Sequence, residues 1–477
     1  MRGRMFVALR CVRPCLRGVA LLVVLASASP ARVAADTLNG ALIQAYHVSP
    51  QLNAQRAAMR AADENVPQAL SGYRPKISAS ASAGTQSLST VTRLLTAPGQ
   101  PAQYLTQNGM NTPHSIGLTA TQTLLNGSQT ANRTRLAESQ VSGARETLRN
   151  VEQTVLLNAA TAYMNLLRDT ALVELQRRNV EVLQEQVRNT RDRFQVGEVT
   201  QTDLSQAESR LAGGRAQLLG SIANYTASIA AYRQAIGSEP GKLAPGVTVD
   251  RFLPKTQGQA VTMGLAEHPN VIAAQFNLDV AVAQVKTAEG ALYPVLNLQV
   301  NVQKNWEPAL TELQAYSASA LAQLTAPIYQ GGAEYSVIRQ AKETQGQRRI
   351  ELELSRDQVR QVVIQAWGQV EATQAQIPAT EAQVRAAEIA LNGVREEARV
   401  GQRTTLDVLN AQQELVNARG SLVTAQRDRV VASYTLLAAI GRLSPQVLGL
   451  DVTVYDPKIH YHQIRDAWGG VRTPDGR

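Results

Sequence analysis

The sequence predicts an α+β protein made from one unit used twice, each unit a β-hairpin carried on helices of very unequal length. A phrase that returns is the first observation. RFQVGEVTQTDLSQAESRL at 193–211 comes back as EARVGQRTTLDVLNAQQEL at 397–415. At one constant offset Val196, Gly197, Thr200, Asp203, Ala207 and Leu211 fall on Val400, Gly401, Thr404, Asp407, Ala411 and Leu415. The second is a change of period, from helical spacing to strict alternation and back, once in each half. Composition is the third: Phe occurs four times and Trp three times in 477 residues, which suits long helices packed through small side chains.

Residues 1–35 read as a secretory signal peptide outside the fold. They hold Arg2, Arg4, Arg10, Arg13, Arg17 and Arg32 and no acid, followed by an apolar run at 19–26 that is too short to span a bilayer. Val33-Ala34-Ala35 supplies small residues for cleavage before Asp36. Cys11 and Cys15 both precede the apolar run, so neither a lipid anchor nor a disulfide is expected. Without this segment the net charge falls from +9 to +3 (47 Lys and Arg less six, against 38 Asp and Glu), which removes the argument for nucleic acid.

The first unit is placed at 36–237. Residues 36–70 read as helix through Leu38, Leu42, Ala45, Leu52, Ala58 and Ala62, with a kink or restart at Ser49-Pro50. Tyr73-Arg74-Pro75 ends it. From 76 to 89 Ile77, Ala79, Ala81 and Ala83 alternate with Ser78, Ser80 and Ser82. A polar loop facing the cell exterior is expected at 91–113, and 114–125 alternates again through Ile116, Leu118 and Ala120, completing a hairpin. Asn126-Gly127-Ser128 opens a helix predicted to run to Phe194, roughly 100 Å long. Gly197 suits the left-handed residue just past a helix end. Thr200 and Asp203 then form a Thr-x-x-Asp capping box for a second helix to Ile236, about half as long. A linker rich in Pro and Gly is placed at 238–261.

The second unit, 262–441, repeats the order. Glu267-His268-Pro269 answers the region of Pro50, and Leu292-Tyr293-Pro294 answers Tyr73-Arg74-Pro75. Strands are expected at 294–305, through Leu296, Leu298, Val300 and Val302, and at 314–329, joined near Glu307-Pro308. Gln330-Gly331-Gly332 opens a second long helix to Arg399, and Thr404 with Asp407 caps its short partner. The polar tail at 442–477 carries no assigned role. Two short helices match one long helix in length, so they are expected to stack end to end beside it, with the hairpins at one end of the rod.

Strands of about 12 residues suit a tilted membrane-spanning strand, which needs about 9–11. Four strands cannot close a barrel, and open edges are not tolerated in lipid. Single-chain barrels start at about eight strands, so the chain is expected to oligomerise, three copies giving twelve strands.

The chain at 36–441 resembles the TolC family of outer-membrane channel proteins. The likeness is carried by the paired RFQVGEVTQTDL and VGQRTTLDVLNAQQEL, the Tyr-Arg-Pro and Tyr-Pro strand openers, and the Asn-Gly-Ser and Gln-Gly-Gly corners. It implies a homotrimer in the outer membrane, a twelve-stranded β-barrel continued by a periplasmic tunnel of twelve helices. It also implies an exit duct for small toxic compounds, working with a periplasmic adaptor (membrane fusion) protein and an inner-membrane transporter of the RND or ABC type. A periplasmic gate is implied at Thr202, Asp203, Arg403, Asp407 and Asn410. Asp407 takes the place of the pore-constricting acid. The second acid of that ring falls on Asn410, so the constriction should carry less negative charge. Arg403 takes the place of the arginine that ties neighbouring coils, with Thr202 and Asp203 as partners, and the latch tyrosine falls on Ala398. The turns at Val196, Gly197, Thr200, Val400, Gly401 and Thr404 are expected to meet the adaptor.

By themselves the same residues have simpler roles: the two aspartates as helix caps and Arg403 as a solvated turn cation. No phosphate-binding glycine loop or nucleophile–base spacing occurs, so neither an enzyme nor a cofactor is expected. His460 and His462, with His47, His114 and His268 scattered, do not make a zinc site. Two rivals remain: the outer-membrane component of type I protein secretion, and a pore-less periplasmic coiled-coil structural protein. The alternating strands argue against the second.

Overall fold

The computed structural model describes residues 37–94, 98–308, 314–474 and 476; the signal-peptide assignment at 1–35 lies outside them. Helix α1 (Leu38–Val48) is capped by Thr37, whose Oγ1 accepts from Gly40 N at 3.1 Å. Ser49 closes α1 through its N–H to the Ala45 carbonyl and opens α2 (Pro50–Asp63) by accepting from Leu52 N, with Pro50 as the first helical residue. Of the kink or restart expected at Ser49-Pro50, the structure has the restart. A short α3 (Asn65–Leu70) and a 3-10 turn at Ser71–Tyr73 lead to the sheet.

β1 (Lys76–Ala83) pairs antiparallel with β4 (His114–Asn126), β4 with β5 (Val295–Trp306), and β5 with β6 (Gln314–Thr325), in the order β1-β4-β5-β6. Residues directly opposite in an antiparallel ladder share a face, and the register sorts the two faces by chemistry. One face carries Ile77, Ala79, Leu118, Ala120, Val300, Val302, Ala318 and Ala320. The other carries Ser78, Ser80, Thr119, Thr121, Asn301, Gln303, Ser317 and Ser319, tied across strands by bonds such as Thr119 Oγ1 to Asn301 Oδ1 at 3.1 Å. A bulge at Leu124 keeps Leu125 opposite Leu296. β1 and β6 are the sheet's edges.

The loop expected at 91–113 is a correction. β2 (Gln86–Leu94) and β3 (Gln103–Asn111) form a two-stranded ribbon that prolongs the β1/β4 pair past Gly84 and Pro113, where Gly84 N still donates to Pro113 O at 3.0 Å. Most of its residues are polar, and Val91, Leu94, Tyr104, Leu105 and Met110 are exposed on it without alternating. A ladder held by backbone bonds does not need an apolar side, so the composition reads as loop.

Tight corners return the chain to helix. Gly127 and Ser128 have φ of 57° and 61°, and Gly331 and Gly332 of 69° and 85°. Gly127 meets Gly290 backbone to backbone: a Cβ on Gly290 would lie 2.7 Å from the Gly127 carbonyl oxygen. α4 (Gln129–Gln195) and α8 (Ala333–Arg399) each run 67 residues, α8 with Pro378 inside it. α5 (Gln201–Ile236) and α9 (Thr405–Ala439) return alongside them. α1 and α2 stack on α4 beyond α5, while α6 (Gln257–Glu267) lies on α8 and α7 (Pro269–Glu289) packs between α4 and α8. α6, capped by Thr256, begins inside the stretch placed in the linker. No described helix is long and apolar enough to cross a membrane.

The main core sits where the short helices meet end to end. Leu42, Leu52, Leu156, Ala159, Ala160, Tyr163, Tyr232, Ile236, Val363, Leu436 and Leu437 are buried there together. Tyr163 donates to the Ala244 carbonyl at 2.7 Å, drawing the linker in. The tail without an assigned role is part of this belt. Leu443, Leu448 and Leu450 are buried in it, α10 (Pro445–Leu448) and α11 (Pro457–Ile464) follow, and His460 Nδ1 lies 3.0 Å from Asp63 Oδ2. The tail's apolar residues keep no single period long enough for periodicity to reveal this.

Candidate functional site

Both repeated phrases fold into the same turn, at the ends of the long helices away from the sheet. Gly197 has φ 78° and Gly401 φ 79°, and open space surrounds the place of a Cβ on either. Glu198 N donates to Arg193 O, and Gln402 N to Glu397 O, each at 2.9 Å, closing the helix ends. Val196 and Val400, just before the glycines, are 77% and 72% exposed.

The next helices start from reciprocal capping boxes. Thr200 Oγ1 accepts from Asp203 N at 3.3 Å, while Asp203 Oδ2 accepts from Thr200 N at 3.0 Å and from the Thr200 hydroxyl at 2.7 Å. Thr404 and Asp407 repeat this at 3.2, 3.0 and 2.9 Å. The Thr200 hydroxyl and backbone N–H, with Arg193 nearby, hold the Asp203 carboxyl below the usual range. The Thr404 backbone N–H and hydroxyl, with Arg403, do the same for Asp407.

The two turns differ in one respect that matters for charge. Repeat one is bridged by Arg193 and Glu198 at 2.8 Å, repeat two by Glu397 and Arg403 at 2.8 Å, so the cation stands before the glycine in one and after it in the other. Arg403 is thus engaged inside its own turn; among the described residues no ion pair or hydrogen bond joins it to Thr202 or Asp203. Thr202 is exposed on the first turn of α5. Asn410 accepts from Arg210 Nη2 at 2.7 Å, which connects α9 to α5 of the other unit. Beside this bond Leu409 is buried among Leu183, Val187, Ala207 and Leu211. Arg191 and Glu208, at 2.7 Å, join the helices of the first hairpin, and Arg395 and Gln412, at 3.1 Å, those of the second.

The caps and glycines therefore lie where the repeat places them. Glu397, Arg210 and Leu409 went unnoticed in the sequence, although the repeat alignment that sets Arg193 on Glu397 already carries the charge reversal. Among the described residues no three His, Cys, Asp or Glu side chains gather into a metal-binding group.

The family described as outer membrane efflux protein matches residues 42–238 and 261–442, leaving out the linker between the units. Outer membrane efflux protein BepC of Brucella suis biovar 1 (strain 1330) is 41% identical over 443 residues, 93% of each chain. Outer membrane protein TolC of Escherichia coli (strain K12) is 26% identical over 376 residues, 74% of this chain and 76% of that one. The structure of the Campylobacter jejuni CmeC outer membrane channel matches with a TM-score of 0.72 at 16% identity, covering 90% of this chain and 89% of that one, a likeness of fold.

Proposed function

The chain belongs to the outer membrane efflux protein family, and from that premise we propose that it is the exit duct of a tripartite export system. Three copies close a twelve-stranded barrel in the outer membrane. Their helices form a periplasmic tunnel that takes small toxic compounds from a periplasmic adaptor and an inner-membrane transporter of the RND or ABC type. One observation carries this reading: a four-stranded sheet with one apolar and one polar face and two unpaired edges. Lipid on the apolar side and water on the polar side satisfy the faces, and only further strands satisfy the edges.

The duct performs no bond chemistry, so its mechanism is opening and closing. In this reading the six turns of a trimer surround the periplasmic mouth. Three Asp407 carboxylates near one axis repel one another, and Arg403, held against Glu397, supplies nearby positive charge. Arg210–Asn410 and the buried Leu409 hold the two coils of one chain together. Opening separates coils of neighbouring chains while those within a chain stay paired. Val196, Gly197, Thr200, Val400, Gly401 and Thr404 form the surface offered to the adaptor.

The test is deletion of the gene and its return on a plasmid, followed by dye accumulation, toxin sensitivity and the set of secreted proteins. Higher accumulation and several-fold greater sensitivity, reversed by the plasmid, support the duct for small compounds. Loss of a secreted protein with accumulation unchanged selects type I secretion instead. If deletion alters neither, the export reading fails.

A further inference from the structure

The helix-proximal end of the sheet is marked by the pairs Lys76–Thr121, Asn126–Val295 and Val295–Thr325. Exposed tyrosines cluster at this level: Tyr73 just before β1, Tyr293 just before β5 and Tyr329 just after β6. A further aromatic arrives from the C-terminal segment. Arg74, two residues before β1, donates from Nη1 to the Ala467 carbonyl at 2.5 Å, and its guanidinium carbon lies 4.7 Å from the centre of the Trp468 ring.

The segment before Trp468 is firmly seated. His460 pairs with Asp63, Arg145 lies 5.1 Å over the Tyr461 ring, and Arg465 reaches Glu138 at 3.8 Å. Yet this docked segment holds apolar side chains outward: Trp468 is 74% exposed and Val471 100%. Among the described residues, the charged side chains of this segment and of the entry to β1 are Arg74, Lys76, Arg465, Asp466 and Arg472, with Glu138 already matched to Arg465.

Indole and phenol rings favour the boundary between acyl chains and headgroups, where the ring is buried and its polar edge stays wet. A membrane barrel carries such a girdle at each face, and basic side chains at that level attract anionic headgroups. We propose that residues 465–474 form an interfacial anchor: Trp468, positioned by Arg74, and Val471 enter the periplasmic leaflet of the outer membrane beside the barrel, with Lys76 and Arg472 against lipid phosphates. The girdle at the foot of the barrel is then completed by a segment from outside the sheet, and the same segment clamps the helical belt to the membrane at a fixed height.

The experiment uses the full-length protein in vesicles of phosphatidylethanolamine and phosphatidylglycerol whose acyl chains are brominated at shallow or deep positions. Subtracting the fluorescence of Trp468→Phe from that of the unaltered protein isolates the Trp468 signal from Trp306 and Trp367. The expected result is loss of most of this signal with shallow bromines, less with deep ones and little with aqueous iodide. Arg472→Gln and omission of phosphatidylglycerol should each weaken the quenching. Quenching by iodide alone would place the ring in water, and quenching by neither agent would place it under a neighbouring subunit; either overturns the anchor. Channel conductance in the same vesicles reports barrel insertion separately, so a negative result bears on the anchor and not on the duct.

Discussion

Asp203 and Asp407 each bond the backbone N–H of the threonine that caps their own helix, and in the proposed duct Asp407 would also line the mouth. Both are held below the ordinary value of 3.8, so the caps are complete at neutral pH and weaken only as pH falls through that depressed value. Asp407→Ala is therefore expected to lower cation selectivity in planar bilayers, and Arg403→Ser to raise single-channel conductance. If the selectivity and the conductance both stay as they were, the two residues serve the turn alone. Glu152 on α4 titrates the other way: burial pushes it up to about 7 from 4.5, against the pull of Arg56 and Arg149. A carboxylate whose folded value is raised costs stability as pH rises from 4.5 through 7. Glu152→Gln should raise the melting temperature at pH 8, by on the order of 1–3 kcal/mol of stability, and the gain should vanish below pH 4.5. A variant with the same advantage at both pH values would argue against a titrating Glu152. Thr200 and Asp203 were legible because a cap spans one helical turn of sequence. Arg210–Asn410 was not, because it depends on the register between helices of different units.

At the scale of elements, helix lengths and corners were readable from sequence: proline-free periodicity sets α4, and Gly127-Ser128 and Gly331-Gly332 set the corners before α4 and α8. The ribbon β2/β3 was missed because ladder bonds leave no mark on composition when neither face is buried. The ribbon also changes where an insertion should be tolerated. Gln107 is paired with Thr90 in the ladder, whereas Gly99, at φ 94° between the strands, has open space around it. An epitope inserted at Gly99 is expected to be labelled on intact cells while leaving assembly unchanged. Labelling that requires a permeabilised outer membrane would reverse the orientation of the sheet. The place of the tail was not legible for a different reason, since its burial rests on single side chains such as Leu443 and Leu450 entering a core built by other elements.

For the whole molecule, the two faces of the sheet make opposite demands. Val300 stands opposite Ala120 and Ala320 on the apolar face, and its neighbour Asn301 opposite Thr119 and Ser319 on the polar face. Val300→Arg should cost about 2–4 kcal/mol if it lies near the membrane midplane and should reduce the heat-modifiable trimer seen in gels. Asn301→Arg should leave the trimer intact and shift selectivity toward anions. Equal tolerance of both changes would mean that the faces are misassigned.

The belt around Tyr163 bears on motion as well as on packing. From Tyr163 to the end of α4 at Gln195 the helix runs about 48 Å at 1.5 Å per residue. A pivot of about 5° there would swing the far end by roughly 4 Å on that length. If α4 pivots at this belt, it acts as a lever worked from close to its fulcrum: a slight rotation among close-packed alanines becomes a larger stroke at the tips, displacement gained at the expense of force.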